Sequence, residues 1–491
     1  MLYIPKFEPL QLQNPNYPFE DICYTGLNPD YKVKINGKDC PVRACRVSAM
    51  PFNAYWPGHQ RDKSQTEWAS FISFFGDEQV TVEVECERDF DKAVVRPMSK
   101  NVITTVEENK VAFTLEANGN YVFELDNNHF ALHIFYSKPK TLPNPQDVTY
   151  YFGPGLHNPL LITLKDNESV YVHPEAVVFT TVFAKNAKNI RIFGGGILNN
   201  SNQERVDNSG FFSDYPLGNI KFIDCENVEI ADVILMDSSS WVCAILNCQD
   251  VSIDNIKIVG QWRYNTDGMD ICNTSNVTIK DCFVRSFDDS ICVKAINDFD
   301  VCENISVENC VCWCEWGKTL EIGLETAANE YKNFSYKNCD LIHNCTSAIA
   351  ISNGHYANIH NISYENINVE FQEYNRPEVV QENSAQTYVD NKEPFIPCLI
   401  QIANNKFNVL YDDDIADEKD KNFGYTHNVN FKNINVYNEN PKDVRVRFQS
   451  KSEDVLVEDI EIENLTVNGE IVKELDSIDT FVENAKNIVL K

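Results

Sequence analysis

The sequence predicts an all-β chain in which an N-terminal antiparallel β-sandwich precedes a right-handed parallel β-helix, a solenoid. Three observations predict it: a short pattern recurs through the second half, strand patterns of a different texture precede it, and helical periodicity is scarce throughout. With 491 residues, 43 % hydrophobic and 23 % charged, the chain has material for a large core and an ordinary globular balance.

The recurring pattern is Asn or Asp, apolar, any, apolar, any, Asn or Asp, then Cys, Ile or Val. It reads Asn227-VEIADV, Asp250-VSIDNI, Asn276-VTIKDC, Asn304-ISVENC, Asn333-FSYKNC, Asn361-ISYENI, Asn428-VNFKNI and Asp454-VLVEDI. An earlier copy is Asn189-IRIFGG, and the chain closes on Asn487-IVLK. Central copies fall roughly 23 to 29 residues apart, the length of one solenoid coil. Alternating apolar residues make a strand with one buried face, and stacked parallel copies turn those faces into one continuous core. Residues at one repeat position then form a column, about 4.8 Å apart from coil to coil. Cys282, Cys310 and Cys339 are expected in one such column with Ile256, Ile367, Ile434 and Ile460. The turn asparagines suit left-handed backbone geometry and should stack into side-chain ladders.

This placement reads the seventeen cysteines as small buried thiols, not as a disulfide framework or a metal site. The first residues, MLYIPKFEPLQLQNPNYPFE, carry no secretory-leader pattern. The two observations together predict a cytoplasmic protein.

Residues 30–145 alternate without the asparagine repeat, as in Val80-TVEVE, Val111-AFTLE and Tyr121-VFELD, with Asn118-Gly119-Asn120 and Asp126-Asn127-Asn128 as turns. They predict the sandwich. The Gly- and Pro-rich junction Tyr150-YFGPGLHNP suggests a division into 1–148 and 149–491. An insertion over 370–427 interrupts the repeat, and its acidic run Asp412-Asp413-Asp414, Asp417-Glu418 reads as a solvated loop or a rim of the cleft.

A formal net charge of −31 makes nucleic acid and anionic lipid poor partners and weighs mildly against a polyanionic ligand. No stretch is long and apolar enough for a transmembrane helix. The oligomeric state stays open.

Two adjacent coils carry the chemistry, Tyr264-NTDGMDI and Arg285-SFDDSICVK. Aligned on the inward residues Ile271 and Val293, Asp267 falls one coil before Asp289 in the same column, with Asp288 alongside. Stacked like charges disfavour one another's ionisation, so one carboxyl should keep its proton near neutral pH. A protonated acid beside ionised bases is the equipment of glycosidic cleavage. The competing reading is a set of turn aspartates capping backbone groups.

Asn265-Thr266-Asp267-Gly268 followed one coil later by Asp288-Asp289 resembles the family 28 glycoside hydrolases, the polygalacturonases, and the related family 49 dextranases and isopullulanases. The resemblance covers about residues 185–370. It implies an inverting glycosidase without metal or cofactor, with Asp288 protonating the leaving oxygen and Asp267 and Asp289 activating water. Acid and base are expected roughly 6.5–9.5 Å apart, leaving room for that water. Two departures bear on the substrate. Where polygalacturonases have the His of Gly-His-Gly, register gives Lys318. Where they grip a uronate with Arg-x-Lys, it gives Ala350 and Ser352. His355, a few residues on, is a candidate substitute for that His, or a plain turn histidine. The sandwich followed by a helix is similar to family 49.

Further substrate-binding candidates are Asn265, Lys294, Lys318 and Glu321, the charged three reading equally as surface charges. Trp262, Tyr264, Phe287, Trp313 and Trp316 crowd the same neighbourhood, where aromatic faces stack on sugar C–H faces. Trp262, Tyr264 and Trp316 are the subsite candidates, against a core role. A carbohydrate is thus the expected partner: a pectic oligosaccharide, or a neutral α-glucan as the alternative. A polysaccharide lyase and a non-catalytic carbohydrate-binding β-helix are the remaining readings. Sugar, linkage and exo or endo action stay open.

Overall fold

Alternation decides which way each strand faces, and in both halves of the chain it builds sheets with a clear inside. The computed structural model describes residues 2–6, 26–49, 66–204, 213–371, 396–404, 424–438, 443–450 and 456–491, with one short strand pair, Val379–Val380 and Val389–Asp390, between.

Two five-stranded sheets form the N-terminal part. In one, Tyr31–Ile35, Val80–Cys86 and Lys110–Leu115 pair antiparallel with inward Val33, Val82 and Phe113. In the other, Arg43–Ser48, Thr66–Phe75, Asn127–Ser137, Gly119–Leu125 and Ala93–Arg96 lie side by side. One pairing departs from the antiparallel expectation: Thr66–Phe75 and Asn127–Ser137 run parallel. Between them the chain crosses to the other sheet and back twice, and Gly119–Leu125 then turns back antiparallel into Asn127–Ser137.

From Tyr150–Phe152 onward the strands form one right-handed parallel β-helix. A coil contributes three strands. Met269–Cys272, Ser275–Lys280 and Phe283–Ser286 stack on Cys243–Leu246, Gln249–Asp254 and Lys257–Val259 of the coil before. Inward residues form unbroken columns such as Ile245, Ile271, Val293, Ile322, Ile351 and Ile402. Tyr336, Tyr364 and Phe431 stack with centroids 4.6 and 5.0 Å apart, close to the coil spacing. The turn asparagines have positive φ, for example 58° at Asn276 and 59° at Asn304. Their amides hand hydrogen bonds down the helix, Asn276 to Asp250 at 2.9 Å and Asn304 to Asn276 at 3.0 Å.

The cysteine column runs Ile256, Cys282, Cys310, Cys339, Ile367 and Ile434 as expected, but Ile460 does not continue it. Ile460 pairs with Val429, and Leu465 follows Ile434. The in-register copy is Asp459-IEIENL, because Val455 to Leu465 carries the alternation twice over and the downstream half wins. Sixteen cysteines lie among the described residues, all buried and none in a disulfide.

The insertion is also not a single interruption. Cys398–Asn404 lies within it and serves as a coil strand between Ser347–Asn353 and Arg445–Ser450. It escapes the repeat because the Asn signature marks only the second strand of each coil. Asp412-Asp413-Asp414 and Asp417-Glu418 fall outside the described residues.

The third strand of each coil turns its outer face to the sandwich. Phe283, Val311, Trp313 and Ile342 pack there against Cys45, Phe71, Val122 and Phe135. Arg96 pairs with Glu124 at 2.7 Å within the sandwich and reaches Glu370 across the seam, where His343 is also hydrogen-bonded to Glu124. Among the described residues no helix is long and apolar enough to cross a membrane.

Candidate active site

Parallel register does what the coil alignment requires. Met269 pairs with Ile291 and Ile291 with Leu320, so Asp267, Asp289 and Lys318 occupy one column at the start of the first strand. Backbone bonds hold the turn, Gly268 N–H to Asp289 O at 2.8 Å and Ser290 N–H to Lys318 O at 3.0 Å. A side chain at 268 would meet Ser290 O at 2.3 Å, so glycine alone lets successive turns approach this closely. Gly317 is nearly as tight: its added Cβ would lie 2.4 Å from Asp289 Oδ1 and 2.6 Å from Asp288 Oδ1. The backbone of 317 therefore lies against both carboxylates, whose Oδ1 atoms stand no more than about 5 Å apart, closer than the roughly 6.5–9.5 Å expected of an acid and base with a water between them.

Lys294, on the outward side of the strand, ties the group together. Its ammonium donates to Asp267 Oδ2 and Asp270 Oδ1 at 2.9 Å each and stands 3.8 Å from Asp289 Oδ2. It also sits 4.6 Å from the Trp241 ring centroid. Five carboxyls, Asp267, Asp270, Asp288, Asp289 and Glu321, face two ammoniums, Lys294 and Lys318. A buried cluster so unequal in charge keeps protons.

The protons divide unevenly. Burial, then the neighbouring Asp289 charge, pushes Asp288 well above the usual carboxylate range. Asp288 accepts the Asp289 N–H at 3.0 Å and the Asn265 amide at 3.4 Å, with Asn265 held in left-handed geometry at φ 52°. Burial also raises Asp267, against the pull of Lys294, and lifts Asp270 to about 6. Asp289 goes the other way: burial would raise it, but Lys294 and Lys318 outweigh burial and hold its carboxyl below the ordinary value. It accepts the Lys318 N–H at 2.8 Å and is the most exposed of the three aspartates, at 14 % of its side chain. The arrangement can therefore present a protonated acid next to an ionised base at one surface.

Of the candidates named from sequence, Asn265, Lys294, Lys318 and Glu321 gather around the aspartates. Trp316 is half-buried and stacks on Phe287 at 6.1 Å, with Tyr264 beneath at 5.4 Å from Phe287. Tyr264 and Trp262 are both buried, and the Trp262 indole N–H donates to Asp237 at 2.8 Å. Trp313 belongs to the seam with the sandwich, under the Arg285 guanidinium at 3.5 Å. His355 lies past the far end of these strands. It is paired with Thr326 through Nδ1 at 3.1 Å and its own N–H at 3.0 Å, and register does not bring it to the carboxylates.

Sequence reasoning passed over Asp270, Cys292, Trp241 and Gly317. Asp270 was readable: the register that pairs Asp267 with Asp289 also puts Asp270, Cys292 and Glu321 in one outward column. Asp267, Asp289 and Cys292 offer ligand atoms within 4.8 Å of one another. Lys294 already supplies positive charge to both aspartates there, and Cys292 donates its thiol hydrogen to Asp270 at 3.1 Å.

The profile of "Glycosyl hydrolases family 28" matches residues 152–409, a span that holds all of these side chains. An exopolygalacturonase from Cochliobolus carbonum is 31 % identical over 141 residues, 27 % of this chain and 30 % of that protein. The chain thus matches under a third of that relative's length. Dex49A from Penicillium minioluteum superposes with a TM-score of 0.65 over 98 % of this chain and 96 % of its own, at 13 % identity. A hyperthermoactive exopolygalacturonase from Thermotoga maritima superposes with a TM-score of 0.51 over 70 % of this chain and 83 % of its own, at 17 % identity. At such identities the likeness to both structures is one of fold.

Proposed function

Because the chain belongs to glycosyl hydrolases family 28, we propose that it is an inverting hydrolase cleaving O-glycosidic bonds of a pectic oligosaccharide. The observation that carries this reading is the contrast between Asp288, whose carboxyl burial pushes well above the usual range, and Asp289, whose carboxyl two lysines hold below it. Asp288 gives its proton to the leaving glycosidic oxygen as the bond from that oxygen to the anomeric carbon breaks. Water attacks the opposite face of that carbon and loses a proton to Asp289, with Asp267 beside it. Asp289 then returns its proton to solvent and Asp288 regains one, so the net reaction adds one water.

Asn265 steadies the acid, Lys294 draws the aspartates together, and Trp316 offers a flat face to a sugar ring. Tyr264 supports Trp316 through Phe287, and Trp262 acts through its bond to Asp237. A reducing compartment such as the cytoplasm suits the sixteen buried thiols.

A neutral α-glucan is the second reading. It is favoured by Ala350 and Ser352, both buried, which supply no planar cation for a uronate where the family's Arg-x-Lys pair would stand.

The test is a reducing-sugar screen over oligogalacturonides, rhamnogalacturonan fragments, isomalto-oligosaccharides and pullulan fragments, with Asp288→Asn alongside. Wild type should act on one class with inverted product anomer, and the variant should lose about a thousandfold or more in turnover. Turnover surviving in Asp288→Asn, or products bearing an ultraviolet-absorbing double bond, would end the proposal.

A further inference from the structure

Lys318 and Glu321 stand where a substrate contact was expected, yet both are engaged with protein. The Lys318 ammonium is paired with Glu321 Oε1, three residues on along the same strand. The Glu321 side chain is 1 % exposed, which leaves it almost no surface to offer a sugar. Its second oxygen, Oε2, is buried and meets no donor among the described residues. Yet the Glu321 and Asp289 carboxyls are within hydrogen-bonding reach of each other. Two carboxylates can share such a bond only if one of them carries the proton. Asp289 already takes the Lys318 N–H on Oδ1 at 2.8 Å and faces Lys294 at 3.8 Å, so its neighbours favour the charged form. Glu321 has the burial and one cation only.

We propose that Glu321 and Lys318 are positioning residues: Lys318 anchors Glu321, and Glu321, as a neutral carboxylic acid, donates its proton in a hydrogen bond that holds Asp289 ionised and aimed as the reaction's base. This rests on the hydrolytic reading above and deepens it, because it separates Asp289 from Asp267, the other aspartate beside the water. Asp267 is pinned by Lys294 at 2.9 Å, its other oxygen is buried with no donor among the described residues, and burial raises its pKa. It therefore tends to hold a proton already and is less available to take one from water. Burial, and next Asp289, lift Glu321 to about 8, in keeping with a proton held through the neutral range. No proton is created or consumed by the arrangement. Glu321 keeps its own, and the proton leaving water goes to Asp289 and on to solvent.

Two variants separate donation from charge. Glu321→Gln keeps a donor toward Asp289 but cannot ionise, and Glu321→Ala removes the donor. In the pH profile of kcat/KM, the acid limb reports protonation of the base. Glu321→Ala should move that limb up by about one pH unit, while Glu321→Gln should leave it in place with turnover lowered. A second readout needs no substrate. A carboxyl whose folded pKa is raised loses stability as pH climbs from its unfolded value to its folded one. The wild-type melting temperature should therefore fall relative to Glu321→Gln between about pH 4.5 and pH 8, then level off. A difference that does not change with pH would mean Glu321 is ionised throughout and would overturn the inference. So would an acid limb that Glu321→Ala leaves unmoved. If wild type turns over no sugar, the hydrolytic reading falls and the positioning role with it, while the melting curves still report whether Glu321 holds a proton.

Discussion

Replacing Lys294 with methionine keeps the volume of the side chain and deletes its charge, and the consequence depends on pH in a calculable direction. The ammonium has two carboxylate contacts at 2.9 Å and a third at 3.8 Å. At an effective dielectric near 20 each short contact is worth roughly 5–6 kcal/mol, much of it offset by taking the ions out of water. Removing one partner of such a buried pair costs about 3–5 kcal/mol net. Protonation can relieve part of that. Burial already lifts Asp270 to about 6 and Asp267 well above the ordinary value. In the folded wild type these groups bind more protons than in the unfolded chain between pH 4 and pH 6, so stability falls as pH rises through that window. Without Lys294 their pKa values climb further and the window extends upward. The variant should thus come closest to wild type at pH 4, where Asp267 and Asp270 are neutral, and lose about 3–5 kcal/mol by pH 8, read as a melting temperature lowered by about 5 °C or more. Thermal unfolding followed by circular dichroism at pH 4, 6 and 8 measures it. A constant difference across that range, or none at pH 8, would refute the electrostatic account of the cluster.

Gly317→Ala should keep the fold and lose about a hundredfold in kcat, because its Cβ forces the carboxyls of Asp288 and Asp289 aside by close to the ~1 Å misplacement that costs such a factor; steady-state rates on the substrate found by the screen check it. We also propose that 1–148 and 149–491 form two domains joined by an obligatory seam. A chain starting at residue 149 should then bind hydrophobic dye and aggregate, since Phe283, Val311, Trp313 and Ile342 lose their sandwich partners. Retention of a soluble, dye-silent helix would show the seam to be dispensable.

The parts of the fold legible in the sequence are those that repeat. Alternation every second residue and an asparagine at each turn follow from backbone geometry that every coil shares, so a pattern search finds them. The coil strand Cys398–Asn404 was missed because it is preceded by no such turn, and the last column slipped by five residues because Asp454 and Asp459 head equivalent patterns. In the site, Asp267, Asp288 and Asp289 were legible from one alignment of inward residues. Their electrostatics were not, because the proton balance depends on Lys294 and Glu321 approaching from different coils. The parallel pairing of Thr66–Phe75 with Asn127–Ser137 was likewise invisible, since alternation fixes the face of a strand and not its direction.

Chemistry requires that the coils differ where the core requires that they match, and the outward column through Ala244, Asp270, Cys292, Glu321, Ala350, Gln401 and Arg447 meets that requirement. Carboxylates on directly successive coils would stand about 4.8 Å apart and suppress each other's charge. Here Cys292 comes between Asp270 and Glu321, contributing a thiol hydrogen to the first and no charge to either. Each acid can then answer to a different cation, Asp270 to Lys294 and Glu321 to Lys318. In the neighbouring column Asp267 and Asp289 do stack directly, and the next rung is Lys318, so the repulsion is met by charge where it is not met by distance. A solenoid makes this selectivity possible because an outward substitution leaves the packed inward column in place.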